Sequence, residues 1–464
     1  MNELLLDDPS LPAQSFSAIV QREAGLKRTL GAGRMTMIAI GGAIGTGLFL
    51  GSGFAISTAG PAVLISYLIG ALIAFLLMGC LAEMTLVHPT TGSFGAYAEH
   101  YLGPLAGFLV RYAYWTSIVM AVGTEVSAIA VYMKFWFPTV PGLWWIVGFS
   151  LGLVAINAFS VRAFASVEYV FALIKVIAIV AFVLMGGAMI AVSHDPAIGF
   201  ANYVDHGGFL PHGVWGVWVA VFIAIFSYLG IETIALAAGE AAQPEVAIRQ
   251  AFRSTGVRLV LFYLLSLSIM LAVMPWTRAG TGQSPFVLVM QALHLPAAGS
   301  VMNFVVLIAA LSAMNGQLYG ATRMMFSLAR AGQAQRMFGT LTHSGVPRNA
   351  LLLSTLGMAL AMLFNVFAPD AAFLTLLSVS SFGAIFAWMM IFVTHYFFRR
   401  QHREPGFRMW GYPYTSLLGA ALLAALLLMT LFTTAFRWTV LLGAPFLALL
   451  AIVFQLRYRR RGNA

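Results

Sequence analysis

Cysteine is nearly missing from this sequence: among 464 residues there is only Cys80. A single thiol inside an apolar run excludes a disulfide frame, a thiolate metal cluster and a thioredoxin-like pair, and reads as an inert buried group. Charge is scarce too. Only 9% of the residues are charged and 61% are hydrophobic, with a mean hydropathy of +0.90. A soluble domain carries about 25% charged residues, so this composition belongs to a chain dissolved in lipid. The net charge is +10, but the basic residues fall in short clusters between apolar runs and form no basic stripe, which sets nucleic acid aside as a partner. The opening stretch MNELLLDDPSLPAQSFSAIV lacks a positive leading region and carries Glu3, Asp7 and Asp8. It therefore reads as a short cytoplasmic tail rather than a cleaved signal peptide. Catalytic patterns are absent as well: there is no HExxH or GxSxG, and nearly all of the nine histidines fall at the ends of apolar runs or between them. An enzyme needs a nucleophile and base or a set of metal ligands, so the chain does not read as an enzyme. An ion channel, the alternative from another class, more often brings a filter or charge ring, and the sequence offers neither.

What is present is a series of long apolar runs. A spanning helix needs about 20 apolar residues, and twelve candidate runs lie near 34–56, 61–87, 104–136, 142–160, 164–193, 214–239, 254–276, 298–330, 349–368, 371–398, 414–435 and 438–457. The fold class is thus all-α integral membrane. Lys and Arg gather in the short cytoplasmic loops of such proteins, and here the basic residues alternate. One side holds Arg22, Lys27, Arg28 and Arg34, then Arg111, Arg162, and Arg249, Arg253 and Arg258. It continues with Arg323, Arg330, Arg336 and Arg348, then Arg399, Arg400, Arg403 and Arg408, and finally Arg457, Arg459, Arg460 and Arg461. The other side has only Lys134, Arg278 and Arg437. Twelve helices with both termini cytoplasmic follow from that alternation.

Ionisable residues inside a bilayer are expensive and mark pathways or partners. Glu125 in VGTEVSAIA, Glu168 and Lys175 in EYVFALIKV, and Glu232 in FSYLGIETI are such residues. Glu168 and Lys175 share a helix face two turns apart, too far for direct contact, so each needs a partner elsewhere. Lys175 sits mid-span, where it is either a proton-exchanging amine or a lysine bridging helices through backbone carbonyls. Glu125 is either functional or a satisfied structural acid. Glu83 and Glu240 lie nearer helix ends, where solvation or loop anchoring would explain them.

Residues 41 to 53, GGAIGTGLFLGSG, set helix breakers inside the first run. Each Gly costs about 1 kcal/mol relative to Ala in a helix interior, so the cluster calls for unwinding, close packing, or both. An unwound segment at midplane frees backbone N–H and C=O groups for a ligand, and N–H groups at a half-helix end suit an anion such as a carboxylate. Span six has its own interruption, FSYLGIE, residues 226 to 232. Paired interruptions in two halves point to an inverted repeat with the site between them, and a zwitterion suits the two poles.

Five stretches carry a resemblance: LKRTLGAGRMTMIAIGGAIGTGLFLGSGFAISTAGP, PTTGSFGAYAEHYLGPLAGF, VEYVFALIKVIAIV, FSYLGIETIALAAGEAAQPEVAIRQA and the GVP at 345–347. Together they resemble the bacterial amino acid transporter family of the amino acid–polyamine–organocation superfamily. The resemblance implies a LeuT-type fold of two inverted five-helix repeats plus two C-terminal helices, in the bacterial inner membrane. The implied divisions are a tail over 1–33, repeats over 34–193 and 194–398, and helices eleven and twelve with a basic tail over 399–464.

It further implies that the substrate carboxylate meets Ala43, Ile44, Gly45, Thr46 and Gly47. The substrate amine then meets carbonyls near Phe226, Ser227, Leu229 and Gly230, with the Phe226 ring as a lid. Glu232 and Lys175, with Glu125, are implied in proton coupling. Lys175 matches a lysine that stands in place of a sodium ion in proton-coupled relatives, so a proton rather than sodium is the expected coupling ion and no cofactor is expected. Met314, Asn315 and Gln317 in span eight, and Ser380, Ser381 and Phe382 in span ten, either shape the side-chain pocket or serve as interhelical glue. The function implied is import of an L-amino acid with a proton by alternating access; an exchanger or polyamine carrier of the same superfamily is the alternative. The partners are the amino acid and membrane lipid, and no oligomeric state follows from the sequence.

Overall fold

The computed structural model describes residues 16–26, 31–159, 161–241, 244–280, 283–293, 295, 297–402 and 407–462. Glu3, Asp7, Asp8, Lys27, Arg28 and Arg403 lie outside the described residues. The described residues are predominantly helical, with short connections between the helices. In order come α1 (Phe16–Arg22), α2 (Ala32–Ala43), α3 (Ser52–Ala59), α4 (Val63–Val87), α5 (Ser93–Leu102), α6 (Pro104–Lys134), α7 (Gly142–Phe159) and α8 (Val161–Val192). The second half holds α9 (Gly213–Tyr228), α10 (Thr233–Ala237), α11 (Pro244–Val273), α12 (Pro285–Ala292), α13 (Ala298–Arg330), α14 (Arg348–Ser354), α15 (Leu356–Phe367), α16 (Pro369–Gln401), α17 (Tyr414–Thr430) and α18 (Trp438–Gly462).

Nine of the described helical stretches are long and apolar enough to cross a membrane. The first, Gly33–Val87, runs 55 residues; as straight helix it would reach roughly 80 Å, against ~30 Å of hydrocarbon. It is broken after Ala43 and again at Gly60, where φ is +64°, so it takes in two of the runs read from the sequence. The shorter apolar helices Val260–Val273 and Tyr414–Thr430 fall on the seventh and eleventh runs. The multi-pass membrane character of the chain rests on these elements.

Three helices lie outside the expected runs. α1 belongs to the tail, α5 follows the second run, and α12 precedes α13; all are short and amphipathic or mixed, and signal no span by length. α6, one of the longest, packs against α13 and α16, while α2 lies against α8, α11 and α13, and α9 against α3 and α4. The core is continuous through these helices, and the interrupted segments lie inside it.

Candidate functional site

α2 ends at Ala43, Ile44 and Gly45 leave the helix, and the chain resumes as a π-helical turn over Gly47–Gly51. A single π turn within helical context is a recurring mark of functional sites. The loosened carbonyls are taken up at once. Lys175 of α8, fully buried, donates from Nζ to the carbonyls of Gly41 at 2.5 Å and Ile44 at 2.8 Å. The Gly45 carbonyl accepts from the amides of Leu48 and Phe49. The Thr46 amide, expected to face a substrate carboxylate, donates instead to Glu125 Oε2 of α6 at 3.3 Å, and Gln317 Nε2 of α13 approaches the other oxygen at 3.4 Å.

The second interruption follows Tyr228. Leu229 is extended and Gly230 has φ +105°, a left-handed conformation that favours glycine. Glu232 closes this break: its carboxylate accepts from the Gly230 amide at 3.1 Å, the Tyr114 hydroxyl at 2.7 Å and Trp388 Nε1 at 3.3 Å. Of the carbonyls proposed for an amine, that of Phe226 already accepts the Leu229 amide and that of Ser227 the Tyr263 hydroxyl.

The two breaks touch. A Cβ on Gly47 would lie 2.6 Å from Ser227 Cα, and one on Gly230 would lie 2.5 Å from the Gly42 carbonyl oxygen. Tyr263 of α11 spans the junction, its hydroxyl 2.8 Å from the Ala43 carbonyl and 2.6 Å from that of Ser227. Tyr67 of α4 meets Ser227 Oγ at 3.0 Å. Neither tyrosine stands out in the sequence, because in an apolar run a tyrosine looks like packing. The one available signal was that a buried phenol needs a partner.

Ala43, Ile44, Gly45, Thr46, Gly47, Glu125, Lys175, Phe226, Ser227, Leu229, Gly230 and Glu232 thus gather around the paired breaks. Met314 is buried on α13 within the same core. Asn315 turns elsewhere: it donates to Glu168 Oε2 at 2.9 Å and accepts from Asn157 at 2.7 Å, tying α13 to α8 and α7.

Comparison with known proteins fixes the family. A family model described as amino acid permease matches residues 34–461. The chain belongs to the amino acid permease family. It is 35% identical to the uncharacterized amino acid permease YtnA of Bacillus subtilis, over 95% of this chain and 97% of that one. It is 36% identical to the gamma-aminobutyric acid permease of the same organism, over 95% of both. The aromatic amino acid transport protein AroP of Escherichia coli K12 is 38% identical over 92% of this chain and 94% of its own.

In this permease the hydroxyls of Ser380 and Ser381 turn back onto their own helix, α16, and neither bridges to a neighbouring helix among the described residues. Ser380 and Ser381 donate to the Leu377 carbonyl, and the Ser380 carbonyl accepts from Ser117 of α6. The acids near helix ends are anchors rather than solvated groups. Buried Glu83 accepts from Arg399 at 2.8 Å, His395 at 3.1 Å and the Met409 amide at 2.8 Å; buried Glu240 accepts from Arg323 Nε and the Tyr319 hydroxyl, each at 2.8 Å. Arg111 and Arg323, read from the sequence as loop charges, are buried inside α6 and α13. Arg111 donates to Glu23 at 3.2 Å and Glu99 at 2.6 Å, and Ser327, Thr90 and the Gly92 amide complete the shell of Glu23. Arg22 forms a bidentate pair with Glu99, at 2.8 and 2.6 Å. Burial alone would raise the Glu99 pKa, but Arg111 and then Arg22 outweigh it and hold the carboxyl below its ordinary value.

Proposed function

We propose that this permease imports an L-amino acid together with a proton by alternating access, across a bacterial inner membrane and with both termini cytoplasmic. The two repeats run over 34–193 and 194–398, and the amino acid binds between the breaks after Ala43 and after Tyr228. One observation carries the coupling: the Thr46 amide at the first break is met by the Glu125 carboxyl. A substrate carboxylate approaching that amide is repelled by an ionised Glu125 at close range in a low dielectric. A protonated Glu125 instead offers an O–H to the same carboxylate. Substrate and proton therefore bind as a unit. The Lys175 ammonium, bound to the Gly41 and Ile44 carbonyls, provides the charge that a sodium ion would otherwise bring to this place. The Ser227 and Leu229 carbonyls receive the substrate amine, with the Phe226 ring closing over it. Each ligand shifts the balance between outward and inward forms only by preferring one of them.

The test begins with melting temperatures of the purified protein against each common amino acid, 4-aminobutyrate and polyamines, since a ligand of the folded state raises the midpoint by mass action. The best ligand is then followed into liposomes holding a trapped pH dye. Uptake that acidifies the lumen is expected, and Lys175→Ala should abolish it. Uptake without acidification, or full proton-driven accumulation by Lys175→Ala, would refute the coupling; a shift by polyamines alone would refute the carboxylate role of the first break.

A further inference from the structure

Among the described residues Glu168, like Glu125 and Glu232, is a buried acid that accepts hydrogen bonds only from neutral groups. Glu23, Glu83, Glu99 and Glu240 each touch an arginine, and Glu232 is pinned by the Gly230 amide, Tyr114 and Trp388. Glu168 is fully buried on α8 and, among the described residues, takes two neutral donors: Ser312 Oγ at 2.5 Å on one oxygen and Asn315 Nδ2 at 2.9 Å on the other. Asn157 of α7 fixes the amide of Asn315 at 2.7 Å, so the carboxyl is held in one orientation. Among the described residues, the ionisable groups that act on Glu168 and Lys175 are each other and Glu125 of α6.

The same carboxyl is pressed against α2. A Cβ built on Gly41 would fall 1.9 Å from Glu168 Oε1, and the carbonyl of that glycine accepts the Lys175 ammonium at 2.5 Å. Glu168 and Lys175 thus bracket the end of α2, one on each side of Gly41. Along α8 they are seven residues apart, roughly 10 Å, and Glu168 is the nearer to the Val161 end, which the proposed orientation puts at the cytoplasm. α2 is the cover over Glu168.

We infer that Glu168 is the proton-release group of the transport cycle, taking the coupled proton from the Lys175 region and passing it to the cytoplasm when α2 withdraws. The inference rests on the proton-coupled reading above. Charge balance suits the pair to this task. An ammonium with a carboxylate and an amine with a carboxylic acid are both neutral overall, so a proton moves between them without leaving an unpaired charge in the core. In the step, an N–H bond of Lys175 breaks and an O–H bond of Glu168 forms through water admitted beside the displaced α2. That O–H then gives its proton to cytoplasmic water, and Lys175 is reprotonated from the Glu125 side. Ser312, Asn315 and Asn157 are positioning residues: they orient the carboxyl and carry no proton.

The experiment uses the full chain in liposomes with the amino acid selected by the melting screen and a trapped pH dye. Glu168→Gln keeps an acceptor for Asn315 and a polar partner for Ser312. A one-unit pH gradient supports about a tenfold accumulation when one proton accompanies one substrate. Glu168→Gln is expected to lose that accumulation and the accompanying acidification while retaining exchange of labelled for unlabelled substrate within about twofold of wild type; Glu168→Asp is expected to recover gradient-driven uptake. Wild-type accumulation by Glu168→Gln overturns the inference. Loss of exchange together with accumulation in Glu168→Gln, unrecovered by Glu168→Asp and accompanied by a lower melting temperature, overturns it in favour of a packing role. Exchange without gradient-driven uptake in the wild type overturns the proton-coupled reading itself.

Discussion

Tyr263 supplies, with one hydroxyl, what two interrupted helices lack: a shared partner for the carbonyls of Ala43 and Ser227. A buried acceptor left without a donor costs about 1–3 kcal/mol. Tyr263→Phe removes the hydroxyl and keeps the ring, so the variant should melt a few degrees below wild type, as read by a thermal unfolding scan; an unchanged midpoint would mean that the two carbonyls find other donors. The glycines around it were legible in the sequence, since helix breakers in an apolar run demand an explanation and Gly47 and Gly230 now have one in their contacts with Ser227 and Gly42. Lys175 and Glu232 were legible for a related reason, being too costly in lipid to be idle. Tyr263 and Tyr67 were not, because their chemistry is decided by what faces them from helices distant in sequence.

At the scale of elements, the long apolar runs reappear as helices because hydropathy and length fix them with little help from packing. What the sequence hid are the short elements that lie outside the long apolar runs. α1, α5 and the ends of α4 and α6 are joined by a polar network, and its buried Arg111 carries the same symbol as a loop arginine. Phe16 of α1 stacks on His88 with ring centroids 3.9 Å apart. His88, just past the end of α4, has its pKa pushed from 6.5 down to about 4, first by burial and then by His402 and His100; its Nε2 meets the Tyr101 hydroxyl at 2.7 Å. Between those two values the unfolded chain binds the proton and the folded one does not, so stability falls as the pH falls through that window. The melting temperature should therefore drop between pH 7 and pH 5, and His88→Gln should flatten the decline; equal slopes for the two proteins would locate the acid sensitivity elsewhere.

For the molecule as a whole, composition alone placed the chain in a membrane, and the spacing of two weak points within it suggested a site between halves. Arg111 and Arg323 count as loop charges in the sequence but are core residues in the fold, so the alternation of basic residues rests on the others. A direct measurement is available: a reporter that fluoresces only in the cytoplasm, fused in turn to each terminus, should fluoresce in both fusions. Fluorescence from one fusion alone would require an odd number of crossings and would unseat the proposed direction of transport.

The shell of Glu23 also sets an order of events. Glu23 is synthesised 304 residues before its partner Ser327, and Ala24 is synthesised 306 residues before Arg330, whose side chain holds its carbonyl. α1 therefore cannot reach its final seat while the ribosome is still making the earlier helices. The contacts just past its end with Ser327 and Arg330 form only once α13 has been made, so that a helix synthesised before the bundle is seated after much of it.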